Sequence, residues 1–162
     1  FVTNDEGVSW RLLTPPDRIV SLAADPLNPD TVYAGTVSGL YVSDDKGEQW
    51  KHVDSNIENG AITGIGFSSD GKTMYVFSTL DGKGFIAISI DGGNTMVKTQ
   101  GQITTTGAVF NFAPGRNGEM YATAMEKISS GMASSVYMTN NGGDTWILEG
   151  TNNSELAMTD NT

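Results

Sequence analysis

Runs of β-forming residues alternate along this chain with clusters of Gly, Pro, Asp, Asn and Ser, the pattern of short strands joined by turns. Residues 1–3 and 8–13 form a first pair of runs, closed by Thr14-Pro-Pro-Asp17, which proline makes unfit for a central strand. Three fuller units follow. The first has strands at 18–24, 31–36, 40–43 and 49–53, the second at 61–68, 73–79, 85–90 and 95–100, and the third at 107–113, 119–125, 136–139 and 145–149. Turns are expected at 25–30, 37–39, 69–72, 80–84 and 114–118, where Gly, Asp, Asn or Pro supply the required dihedrals. Residues 126–135 read as a ten-residue polar loop. Residues 150–162 read as a polar tail, broken only by Leu156-Ala-Met158, that begins a further unit or stays disordered.

One pattern of eight residues recurs at the third turn of each unit: Ser/Thr, Asp/Asn, Gly and Trp at its first, third, fifth and eighth positions. The copies are Thr3, Asp5, Gly7, Trp10; Ser43, Asp45, Gly47, Trp50; Ser89, Asp91, Gly93, Met96; and Thr139, Asn141, Gly143, Trp146. Their first residues stand 40, 46 and 50 positions apart, a period of solenoids, propellers and arrays. Each copy lies between two β-forming runs and so reads as a hairpin turn. The Asp or Asn oxygen is placed to accept from backbone N–H groups further on, and the Gly supplies a positive φ. The Trp on the returning strand offers a large apolar face for packing between neighbouring sheets, and Met96 keeps that role without the ring.

The pattern resembles the Asp-box, or BNR repeat, of sialidase-like β-propellers. Residues 30–50 in particular resemble blades of xyloglucanase-type glycoside hydrolases, photosystem II assembly-factor propellers and sortilin-type receptors. The resemblance implies an all-β fold, a β-propeller segment of about three and a half four-stranded antiparallel blades. These fall at 1–13 (the last two strands of a blade), 18–53, 61–100 and 107–149, with 150–162 as tail or start of another, all in one propeller domain. Closure takes about four to eight blades, so the expectation is a segment of something longer, or a subunit that completes its ring with another copy. The resemblance further implies that the boxes are turn-formers at the rim of one face and that ligands meet the opposite end. The loops there would be 37–39, 54–60, 80–84, 100–106 and 126–135, with Asn56, Glu58, Asn59, Lys83, Glu126 and Lys127 as candidate ligand-binding residues.

Composition narrows the partners. The 162 residues carry a formal net charge of −10 with no cluster of Lys or Arg, which argues against nucleic acid and anionic membrane surfaces. There is no cysteine, hence no disulfide framework or thiol nucleophile, and no apolar run approaches a membrane span. No cofactor and no metal are expected. Sialidase chemistry requires three convergent arginines, whereas Arg11, Arg18 and Arg116 are mapped to separate places, and the chain reads Asp17-Arg-Ile-Val20 where such enzymes have Arg-Ile-Pro. Xyloglucanase-like hydrolysis requires an Asp on an innermost strand, where this chain has Val20, Thr63 and Thr106. No catalytic residue is assigned, and the lone His52 reads as a surface or packing residue. The expected function is a non-catalytic binding or assembly module presenting loops to a glycan or protein partner, extracellular, periplasmic or at the cell surface. The alternative is a fragment of a glycoside hydrolase whose acids lie outside this chain.

Overall fold

The computed structural model of the chain describes residues 1–53, 57, 60–81, 83–104, 109–115, 118–129 and 131–153. Twelve strands among them form three four-stranded antiparallel sheets, each in simple sequence order. The first holds β1 (Ile19–Ala24), β2 (Val32–Thr36), β3 (Gly39–Ser43) and β4 (Lys51–His52). The second holds β5 (Ala61–Phe67), β6 (Met74–Leu80), β7 (Lys83–Ser89) and β8 (Val97–Thr104). The third holds β9 (Val109–Pro114), β10 (Met120–Ile128), β11 (Gly131–Thr139) and β12 (Ile147–Asn153). Residues 1–13 contribute no sheet, only an isolated antiparallel bridge between Val2 and Arg11.

The three sheets share one register. The first box residue, Ser43, Ser89 or Thr139, pairs with Val32, Met74 or Met120, and each of these is followed by a tyrosine: Tyr33, Tyr75 and Tyr121. The first strands lie side by side, β1 against β5 and β5 against β9, while the box turn of the second sheet meets Tyr33 on β2 and that of the third meets Gly101 on β8. The apolar residues form two cores, one at each sheet-to-sheet junction. Tyr33 and Leu40 of the first sheet pack with Ile62, Met74, Val76, Ala87 and Met96 of the second. Phe77, Ile86 and Ile103 of the second pack with Met120, Ala122 and Ala124 of the third. Backbone meets backbone at the rim, where the Gly101 N–H donates to the Gly143 carbonyl at 3.1 Å. A Cβ at Gly101 would sit 2.2 Å from that oxygen, so no larger residue fits.

The ten-residue loop expected at 126–135 does not exist. The ladder between β10 and β11 continues from Met120↔Thr139 through Glu126↔Ala133 and Lys127↔Met132 to Ile128↔Gly131. Its polar residues are tolerated because pairing satisfies the backbone while alternate side chains face solvent, Ala133 and Ser135 being buried and Met132 and Ser134 exposed. The fourth strand likewise runs to Asn153, taking up residues 150–153, whereas Leu156–Met158 lies outside the described residues. The expected loop at 80–84 is also mostly ladder, with Thr79↔Gly84 and Leu80↔Lys83 paired.

Candidate functional site

Each box is closed by the same bonds. The Ser43 hydroxyl donates to Asp45 Oδ1 at 2.8 Å and accepts from the N–H groups of Asp45 and Gly47 at 3.3 and 2.7 Å. Asp45 Oδ1 also accepts from the Gln49 N–H at 2.8 Å. Ser89, Asp91, Gly93 and Thr95 repeat the arrangement, as do Thr139, Asn141, Gly143 and Thr145, and Thr3, Asp5, Gly7 and Ser9. The glycines Gly7, Gly47, Gly93 and Gly143 have φ of 92°, 91°, 87° and 94°, a region side chains rarely adopt. In the Asp5 and Asp91 boxes both carboxylate oxygens are engaged, the second by the hydroxyl of Ser9 or Thr95. These donors hold the carboxylates ionised: the Ser9 hydroxyl and N–H lower Asp5 to about 2. Gln49 and Ser43 lower Asp45, and Thr95 and Ser89 lower Asp91.

The Trp residues diverge in environment. Trp146 is half-buried and meets Phe77 of the preceding sheet edge-on, with ring centroids 6.4 Å apart. Trp50 is half-buried, Met96 is buried, and Trp10 is exposed, its Nε1 donating to the Gly7 carbonyl at 3.1 Å. A sheet thus receives Met96 and Trp146, residues 1–13 stand beside Trp50, and Trp10 is left in solvent.

Antiparallel order puts the boxes and the first turn of each sheet at one end, where the Lys46 N–H donates to the Asp30 carbonyl at 2.8 Å. The opposite end carries the β2–β3, β6–β7 and β10–β11 turns. Of the residues expected to bind ligand there, Asn56, Glu58 and Asn59 lie outside the described residues. Lys83 lines a recess of about 200 Å³ with Asp81, Phe85, Lys98 and Gln102, in which the Lys98 ammonium stands 3.9 Å over the Phe85 ring. Glu126 and Lys127 lie on β10 in another sheet, so the structure does not bring them to the Lys83 recess. On the inner strands Val20 is exposed and Thr63 is half-buried with no hydrogen-bond partner for its hydroxyl. Thr106 and Arg116 lie outside the described residues. Arg11 pairs with Glu48, Arg18 lines a separate groove, and His52 meets the Tyr41 ring edge-on at 5.0 Å. Among the described residues no three His, Cys, Asp or Glu are grouped to hold a metal ion, and no helix is long and apolar enough to cross a membrane.

Sequence reasoning missed a groove of about 430 Å³ between residues 1–13 and the first sheet, lined by Phe1, Leu12, Leu13, Ile19, Leu22 and Trp50 among others. Leu12 is 70% exposed and Leu22 59%. The signal was the alternation in β1, whose large apolar residues Val20 and Leu22 occupy the open face while Ser21 faces the second sheet and donates to the Ile62 carbonyl at 3.1 Å.

Among known proteins, the sequence model of the Sortilin-Vps10 family (Sortilin, neurotensin receptor 3) matches residues 38–160. No curated protein sequence matches. An ancestral GH74 enzyme is 20% identical over 80% of this chain and 18% of its own, with a TM-score of 0.63. YCF48 from Cyanidioschyzon merolae is 22% identical over 83% of this chain and 38% of its own, with a TM-score of 0.55. A NanB sialidase from Streptococcus pneumoniae is 13% identical over 76% and 19%, with a TM-score of 0.54. The chain thus spans well under half the length of each. These likenesses concern the fold, and with three four-stranded sheets they describe a partial β-propeller of about three blades.

Proposed function

We propose, from the premise that the chain belongs to the Sortilin-Vps10 family of Asp-box propellers, that it is a non-catalytic binding or assembly module. Its open faces, and the loops at the end away from the boxes, meet a protein or glycan partner outside the cytoplasm, in an extracellular, periplasmic or cell-surface setting. The observation that carries this reading is the row of exposed apolar side chains along the groove, Phe1, Leu12 and Leu22, since contiguous apolar surface of this kind marks interaction sites. Such a lining suits an extended protein segment better than a sugar, whose hydroxyls need polar partners. A sugar finds those at the Lys83 recess, with its ammonium, carboxylate and amide groups. Glycoside hydrolysis by paired carboxyl groups needs them about 5–9.5 Å apart across the substrate, and Val20 and Thr63 offer none on the inner strands.

The test is incubation of the purified chain with xyloglucan, a sialyl-lactose and aryl glycosides. The expected result is no product above a buffer blank. Turnover that disappears in a carboxylate variant of this same chain would overturn the reading and favour the hydrolase.

A further inference from the structure

The geometry points to an acidic saccharide unit, a sugar ring bearing a carboxylate, as the ligand of the recess at Lys83. This rests on the binding-module reading above and names the ligand class of one of its sites. The recess belongs to the second sheet, which has a sheet on each side. Leu80 pairs with Lys83 across a tight turn whose Asp81 holds a φ of 50°, a conformation that Asp tolerates better than most side chains. Alternation then puts Lys83, Phe85 and Ala87 on one face of β7, the face whose Ala87 packs with Tyr33 and Leu40 of the first sheet. Across the ladder Gln102 stands opposite Phe85 and Lys98 opposite Ala87, so both share that face. The register shifts between these two pairs, where an irregular strand bends, and beside the shift lies the recess of about 200 Å³.

The cations are particular to this sheet. By the shared register the place of Lys98 is held by His52 in the first sheet and Leu148 in the third, and that of Lys83 by Ala133 in the third. In the first sheet β2 and β3 turn between Thr36 and Gly39, before that place is reached. Elsewhere Arg11, Lys46 and Lys51 each meet a carboxylate of the chain, on Glu48, Asp30 and Asp44, whereas Lys83 makes no ion pair among the described residues. The buried Phe85 ring holds the Lys98 ammonium 3.9 Å from its centre, which fixes one cation in the recess before a ligand arrives. Two ammonium groups against the single carboxylate of Asp81 give the lining a positive balance within a chain of net charge −10.

The lining selects the ligand. The ammonium groups attract an anion, the Gln102 amide both donates and accepts, and the Asp81 carboxylate only accepts, so it needs a hydroxyl beside the ligand's acid. A uronic acid ring carries its carboxylate and its hydroxyls on one rigid frame and meets all four groups. Because Lys98 covers the Phe85 ring, the recess offers no aromatic face on which a neutral sugar could stack. A volume of about 200 Å³ is below the roughly 300–1,000 Å³ that hold drug-sized ligands, so one ring enters and the rest of a saccharide chain stays in solvent.

The experiment titrates the full chain with tri-galacturonate, with a neutral galactose trisaccharide and with tri-glutamate, read by calorimetry and by the Gln102 side-chain amide signal in NMR. Tri-galacturonate should bind roughly tenfold more tightly than either of the others, and should weaken as salt rises from about 0.05 to 0.5 M, since Lys83 is exposed and Lys98 only half-buried. Lys83→Gln and Lys98→Gln should each lose roughly tenfold, one charge-assisted bond apiece. Lys98→Arg should retain binding, because it keeps a cation over the Phe85 ring. Lys72→Gln, at an exposed lysine between β5 and β6, should change nothing. Circular dichroism certifies the fold of each variant. No binding of tri-galacturonate, equal binding of the neutral sugar or of tri-glutamate, or a loss at Lys72 as large as at Lys83 overturns the proposal. Turnover in the glycoside assay would sink the non-catalytic reading and leave binding at the recess standing, while failure to bind leaves that assay unchanged, so the two failures are distinguishable.

Discussion

Ser89→Ala removes one oxygen from the centre of a box, and the structure sets the size of the effect. That oxygen donates to Asp91 Oδ1 at 2.8 Å and accepts from the N–H groups of Asp91 at 3.3 Å and Gly93 at 2.8 Å. Ser89 and Gly93 are both buried, with Tyr33 of β2 and Met74 of β6 standing over Gly93, so no water replaces the hydroxyl. Each lost bond costs about 1 kcal/mol net, and an orphaned buried N–H costs about 1–3 kcal/mol, so roughly 3 kcal/mol is expected. For a domain of this size that is a fall in melting temperature of about 6–12 °C. Ser68→Ala is the control. Its hydroxyl donates to Asp70 at 2.6 Å and accepts from the Thr73 N–H at 3.0 Å, but in a half-buried turn whose Ser69, Asp70 and Lys72 are exposed. Water can reach the freed groups there, and the loss should stay near 1 kcal/mol. Urea titration of both variants by tryptophan fluorescence measures the pair. Equal losses at the two sites would refute the argument that burial, and not the bond set, makes the box stabilising.

Trp146→Ala should cost about 2–3 kcal/mol, less than the roughly 3–5 of a fully buried ring because Trp146 is half-buried, and a midpoint unchanged in urea would remove the Phe77 contact from the account. Acid should destabilise the chain with a definite sign. Asp5, Asp45 and Asp91 have folded pKa values below the unfolded one of about 3.9, so their contribution is present above that pH and lost as pH falls through the folded values, about 2 for Asp5. Asn141 already holds the fourth box without a titrating group. Asp91→Asn should therefore flatten the fall of the urea midpoint between about pH 5 and 2, and an unaltered slope would show that the box carboxylates do not carry it.

The boxes are legible in the sequence because their bonds are local. Ser43 to Gly47 and Asp45 to Gln49 span four residues, so residue type and spacing suffice to place the turn and the strands that flank it. Residues 126–135 mislead for the opposite reason. Their composition is that of a loop, and what makes them strand is the partner strand across the ladder, whose pairing satisfies backbone groups whatever the side chains. The sequence approaches the Lys83 recess through Lys83 alone, since Lys98 and Gln102 come from the next strand of the sheet.

Turn chemistry, strand order, the repeat and the count of sheets follow from the chain itself, because each rests on contacts within one hairpin or between sequential strands. Which face of each sheet is covered does not. Trp10 and Trp146 occupy the same box position, yet one is exposed and the other packs on Phe77, because the difference lies in whether a preceding sheet stands beside it. The same holds for Tyr33 and Tyr121, one donating to Gly92 and the other facing solvent. Burial is a property of neighbours some 60 to 70 residues away in the chain, and only the tertiary arrangement says which of them are present.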